Sequence, residues 1–130
     1  MKFLLDTNWI ISFLNGRHAA VDLVKQLLDQ GLALSVISYG ETYEGLLTSP
    51  SFQRTVLALD ELASLTDVIR TDLTIAVQYA HLRSNLRSLG QLIPDNDLWI
   101  AAAALAHDLT LVTRDRHFER VPGLKLNQVR

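Results

Sequence analysis

Four acidic side chains stand where they could do chemistry together: Asp6, Glu41, Asp97 and Asp115. Asp6 directly follows the apolar run Lys2–Leu5, and Asp115 follows the run Leu109–Thr113 with one residue between. Glu41 falls in the first turn of the helix expected after Leu32–Ile37, and Asp97 in the first turn of the helix expected before Leu109. Carboxylates gathered this closely repel one another and would be driven to protonate, unless a cation joins them. An all-oxygen set suits a hard ion such as Mg2+ or Mn2+ better than Zn2+. Such a site suits phosphodiester chemistry, because the ion makes hydroxide available from water and stabilises charge on the phosphate and the leaving oxygen.

The elements that must position these acids are legible as alternating strands and helices. Lys2–Leu5 is a first strand, followed by a helix from about Trp9. A second helix is expected over His18–Gln30, where Val21, Val24, Leu27 and Leu28 recur at helical spacing and Gly31 provides the stop. Leu32–Ile37 is a second strand, Ser38–Leu47 a helix stopped at Ser49-Pro50, and Ser51–Ser64 a further helix. Asp67–Arg70 is a third strand, and Asp72 caps a long helix ending at Gly90. A helix opened by Pro94-Asp95-Asn96-Asp97 reaches about His107, Leu109–Thr113 is a fourth strand, and Leu124–Leu126 a short fifth. The alternation predicts an α/β domain: a three-layer α/β/α sandwich around a mainly parallel sheet of four to five strands.

In a parallel sheet, ligand sites lie outside the carboxyl ends of the strands. Asp6, Asp115 and Glu41 are placed there directly. The helix bearing Asp97 must run down the sheet before the fourth strand runs back up. About a dozen residues at roughly 1.5 Å each cross one layer, which puts Asp97 at the same edge. Asp97 also heads a stripe with Ile100, Ala101, Ala104 and Leu105, so its side chain is expected to face the crevice.

Composition narrows the class. The chain has 130 residues, 48% of them apolar and 20% charged, which fits one domain spanning 1–130 with a real core. There is no cysteine, hence no disulfide, thiolate nucleophile or cysteine zinc site. The net charge of −2 is not that of a protein holding nucleic acid by bulk electrostatics. The longest apolar run, Leu98–Ala106, is too short for a membrane span, so a soluble cytoplasmic protein with no membrane contact is expected. Neither a glycine-rich phosphate loop nor G-x-S-x-G is present, and the D-x-D of aspartyl-phosphate phosphatases is broken at Asp6-Thr7-Asn8.

Three blocks carry a family resemblance: FLLDTNWII near the start, SVISYGETYEG in the middle, and IPDNDLWIAAAALAHDLTLVTRDRHFERVPGL near the end. Together they span nearly the whole chain, which resembles a PIN-domain protein of the VapC-type toxin group. The resemblance implies a PIN-like fold and a Mg2+- or Mn2+-dependent endoribonuclease. It also implies a cognate antitoxin that blocks the site, a homodimer, and a toxin–antitoxin hetero-oligomer. The family's four acids fall on Asp6, Glu41, Asp97 and Asp115. Asp95, two residues before Asp97, competes for the third place, and the DLWIAA context favours Asp97. Asn8 and Thr113 fall where polar residues would orient the carboxylates. The alternative is a catalytically silent PIN-like module that binds RNA or protein; it predicts gaps among the acids, and none is missing.

Several of these residues have a second, purely structural role open to them. Asp6 could cap the helix after it. Ser38-Tyr39-Gly40-Glu41 matches the S-x-x-E capping box, which would occupy Glu41. Asp95 is expected as the N-cap of its helix, with a supporting role at the site as the other option. Asp115 could be a turn residue. His18, His81, His107 and His117 have no metal-ligand spacing and are read as ordinary. Arg83, Arg87, Arg114, Arg116 and Arg120 read as a solvated face with RNA phosphates as the alternative, and Trp9 and Trp99 as packing.

Overall fold

The computed structural model describes residues 1–128. Its five strands are β1 (Phe3–Leu5), β2 (Leu32–Ser35), β3 (Asp67–Ile69), β4 (Thr110–Thr113) and β5 (Lys125–Gln128). Its helices are α1 (Thr7–Leu14), α2 (His18–Gln30), α3 (Val36–Leu46), α4 (Phe52–Ser64), α5 (Leu73–Ser88) and α6 (Asp95–Ala106), with a 3-10 helix at Arg116–Arg120. The strands form one sheet in the order β3-β2-β1-β4-β5, and every pairing is parallel. The chain moves outward from β1 through β2 and β3, then crosses to the other side for β4 and β5. The reversal falls between β1 and β4, and the crevice outside the carboxyl ends of those two strands is where such sheets bind ligands.

Successive strand residues face opposite sides, and both sides are buried. Leu4, Ala33 and Leu111 pack under α5, α6 and the 3-10 helix. Leu5, Leu34 and Val112 pack under α1, α2 and α4. The result is the three-layer α/β/α arrangement expected from the sequence. Full burial of each leucine contributes roughly 1.5–3 kcal/mol relative to exposure, so both layers are firmly held to the sheet. In α6, Ala101 to Ala104 are all buried. The small side chains let that helix lie close to its neighbours on more than one side, which explains why it has no clean polar face.

The boundary differences at the β1–α1 and β2–α3 junctions involve caps. α1 begins at Thr7 rather than Trp9, because the Asp6 carboxylate accepts the Thr7 N–H at the very end of β1. β2 stops at Ser35 rather than Ile37. The Ser35 hydroxyl accepts the Ser38 N–H at 3.0 Å, and this N-cap turns Val36 and Ile37 into the first turn of α3 despite their β-branched side chains. α2 keeps its expected bounds. Gly31, at φ +99°, ends it, and its carbonyl accepts the N–H groups of Lys2 and Phe3 at 2.9 and 3.0 Å, tying the turn to β1. β5 lies slightly later than expected, paired from Thr110↔Lys125 to Thr113↔Gln128.

Candidate metal centre

Asp6 sits at the hinge between β1 and α1, only 2% exposed. Its two oxygens are used differently. Oδ1 accepts the Thr7 N–H at 2.8 Å, and Oδ2 accepts the Thr113 hydroxyl at 2.6 Å. Asp6 therefore caps α1 and also lines the cleft described below. Thr113 reaches it because β4 lies beside β1, and Asp6 N–H donates to Val112 at 3.0 Å. The Thr113 oxygen in turn accepts the Asp115 N–H at 3.0 Å, so one buried hydroxyl sets the loop that carries Asp115.

Glu41 comes from α3. Its Oε1 accepts the Thr7 hydroxyl at 2.9 Å, and that hydroxyl also lies 3.0 Å from Ser38 Oγ. The capping-box reading of Ser38 and Glu41 is overturned. Ser35 is the cap, Ser38 is a buried residue inside the helix, and Glu41 lies in the second turn, past reach of the cap. Its carboxylate is thereby free for the cleft.

Asp97 comes from the first turn of α6, and its Oδ2 lies 2.7 Å from Nε2 of His117 in the 3-10 helix. Asp115 precedes that 3-10 helix, and its Oδ2 is 3.4 Å from the Asn8 amide. Asp6, Glu41, Asp97 and Asp115, with Thr7, Asn8 and Ile11, line a single cleft of about 290 Å³. A wider depression of about 700 Å³ runs along Pro50–Arg54, but no acidic residue lines it.

Asp95 takes a different course. Pro94 is the N-cap of α6, and Asp95 is the first helical residue with no capping bond, so the N-cap expectation is corrected. The residue ahead of it bears no side-chain acceptor, and Asp95 instead accepts the Tyr79 hydroxyl and lies 3.7 Å from Arg83 Nε on α5. Tyr79 stacks on Trp99 with ring centroids 3.7 Å apart. Asp95 does not line the cleft. Trp9 is packed as expected, 1% exposed, with the Arg114 guanidinium 3.7 Å over its ring. Arg114 also donates to Ser12 at 3.2 Å, and Arg120 donates to the Leu92 carbonyl at 3.1 Å.

Electrostatics follow from this crowding. Burial, joined by the charges of Asp97 and Asp115, pushes the Asp6 carboxyl from 3.8 up to about 6 against the lowering effect of its Thr113 and Thr7 bonds. Burial also raises Asp97, with His117 opposing and Glu41 and Asp115 adding to the rise. A carboxylate held this unfavourably, with its neighbours already oriented by hydroxyl and amide donors, is what a divalent cation would relieve. The donor set fits the hard ion expected from the sequence. His117 and Thr7 were not singled out by sequence. His117 lacks any recognisable ligand spacing, while Thr7 was visible only as the middle of Asp-Thr-Asn.

The PIN domain family model matches residues 3–124. The chain belongs to the PIN-domain family. Within that family it groups with the VapC proteins. It is 31% identical to ribonuclease VapC1 of Haemophilus influenzae over 128 residues, covering 96% of each chain. It is also 31% identical to ribonuclease VapC2 of Rickettsia felis over 129 residues, covering 97% of this chain and 96% of the relative. Among solved structures, it resembles VapBC2 of Rickettsia felis bound to a promoter DNA fragment, with a TM-score of 0.89, 29% identity and 98% of both chains covered. The DNA-bound VapBC of Salmonella typhimurium matches with a TM-score of 0.89 at 26% identity, covering 98% of this PIN domain and 97% of that chain.

Proposed function

We propose that this PIN domain is a Mg2+- or Mn2+-dependent endoribonuclease, the toxin of a type II, VapBC-type toxin–antitoxin pair. The observation that carries the reading is the convergence of Asp6, Glu41, Asp97 and Asp115 on one cleft at the β1/β4 switch point. An uncompensated cleft lined by four acids would repel an RNA phosphate, so productive binding requires cations there. These four residues would hold the ion, directly or through water. When bound, it supplies positive charge for the phosphate and lowers the pKa of water, the two things phosphodiester hydrolysis needs.

The chain's own residues prepare that site. Thr113 and the Thr7 N–H each hold one oxygen of Asp6, and the Thr7 hydroxyl fixes Glu41. Thr113 also holds the backbone of Asp115, and Asn8 reaches that carboxylate at 3.4 Å. Arg114, which precedes Asp115 in the chain and is held over Trp9, would offer a fixed positive charge to the RNA backbone. The partner we infer is a cognate antitoxin, because the structural neighbours are VapBC complexes and share this fold at full length. The free protein is proposed to be a cytoplasmic homodimer, and the complex a hetero-oligomer. No described helix is long and apolar enough to cross a membrane.

The test is cleavage of labelled RNA by the purified chain in Mg2+, in Mn2+ and in EDTA, with Asp6→Asn as control. Cleavage that needs metal and is lost in the variant supports the proposal. RNA bound but left intact in both metals would instead favour the silent binding module. Equal cleavage by Asp6→Asn would refute the role given to the acids.

A further inference from the structure

We propose that His117 is a direct nitrogen ligand of the metal centre and tunes it toward Mn2+ over Mg2+, an inference that rests on the metal-dependent reading above. The ring is carried by the 3-10 helix after β4, two residues past Asp115, and it packs at a tilt against buried Phe118 with centroids 4.9 Å apart. Its Nε2 lies 2.7 Å from Asp97 Oδ2. One ligand atom each from Asp97, Asp115 and His117 lies within 4.8 Å of the others. Around an octahedral ion with bonds of about 2.1 Å, neighbouring ligand atoms are about 3 Å apart and opposite ones about 4 Å. The Asp97–His117 pair, at 2.7 Å, already has about the separation of neighbouring ligands, and the Asp115 oxygen is near enough to join them through a small side-chain rotation.

A ring that served only to support Asp97 would sit behind that carboxylate, with Asp97 between it and the ion. A ring nitrogen of His117 also lies within 4.8 Å of an Asp115 oxygen, so the ring borders both acids rather than Asp97 alone. The remaining histidines are elsewhere: His18 lies beside Asp22 on α2, His81 is on α5, and His107 follows α6. The chemistry of the donor set then differs from four carboxylates alone. Carboxylates suit Mg2+ and Mn2+ alike, but imidazole nitrogen belongs with transition ions, and Mg2+ gains little from it. His117 thus gives Mn2+ an advantage that the acids cannot.

The experiment is Mn2+ binding to the full chain, followed by pulsed electron paramagnetic resonance for nitrogen coupled to the bound ion. The same measurement is made on His117→Gln and on His117→Asp, with thermal melts in EDTA to establish folding. Wild type should show coupled nitrogen. His117→Asp should still bind Mn2+ without that coupling, and both variants should lose about tenfold of the preference for Mn2+ over Mg2+. Bound Mn2+ with no coupled nitrogen in wild type overturns the inference and leaves the acid site standing. So does coupling that persists in both variants. If wild type binds no Mn2+, the metal-dependent reading itself falls.

Discussion

Asp6→Asn should make the metal-free protein more stable at neutral pH while destroying its response to metal. Burial and the neighbouring acids hold Asp6 at about 6 in the fold against 3.8 ordinarily. An acid raised in the fold binds its proton more tightly there than in the unfolded chain. Its stabilising share is complete below pH 3.8 and is lost as pH rises to about 6, so the penalty is fully present at pH 7.5. The difference corresponds to about 3 kcal/mol. Asp6 is 2% exposed, so solvent screening removes little of it. Asparagine keeps an acceptor for the Thr7 N–H, but either that bond or the Thr113 hydroxyl bond is lost or reversed, at a cost of about 1 kcal/mol. The net gain is about 2 kcal/mol, a rise in melting temperature of roughly 6–10 °C. Urea and thermal unfolding in EDTA at pH 7.5 and pH 4 measure it. The advantage should shrink or reverse at pH 4, and Mn2+ should raise the melting temperature of wild type only. A variant less stable than wild type at pH 7.5 in EDTA would refute the claim that Asp6 is buried at a cost that metal relieves.

Three further outcomes follow from the same contacts. Glu41→Gln keeps an acceptor for Thr7 but removes a charge, so stability should stay within about 1 kcal/mol by urea unfolding while metal-dependent RNA cleavage is lost. Thr113→Val keeps the buried shape but frees both Asp6 and the Asp115 loop; Mn2+ affinity by titration calorimetry should fall roughly 10–100-fold. Ser35→Ala removes the cap that opens α3 and should cost about 1 kcal/mol in denaturant unfolding, whereas a cost nearer zero would mean Ser38 can take over the role.

The parts of the fold read correctly are those with local, redundant signals. α2 has an amphipathic repeat and a terminal glycine with positive φ, and its bounds match. The strands are continuous apolar runs because both faces of the sheet are covered. At α3 the misreading comes from two neighbouring residues of similar local chemistry. Ser35 and Ser38 are both competent caps, and only the position of β2 beside β1 and β3 selects Ser35. At α6 the reason differs: Pro94 holds the N-cap position without a side-chain acceptor, and Asp95, the first helical residue, accepts instead from Tyr79 on α5.

What the sequence determined by itself was the alternation of strand and helix and the placement of Asp6, Glu41, Asp97 and Asp115 at one sheet edge, since parallel topology forces those positions together. Tertiary structure decided how each acid is held. Thr113 meets Asp6 only because β4 inserts next to β1, and the two are 107 residues apart in the chain. His117 meets Asp97 only because the 3-10 helix folds back over the start of α6. Hydrogen bonds of this range depend on sub-ångström placement of elements whose order in space no local propensity encodes, whereas burial patterns repeat along the chain and survive as a readable period.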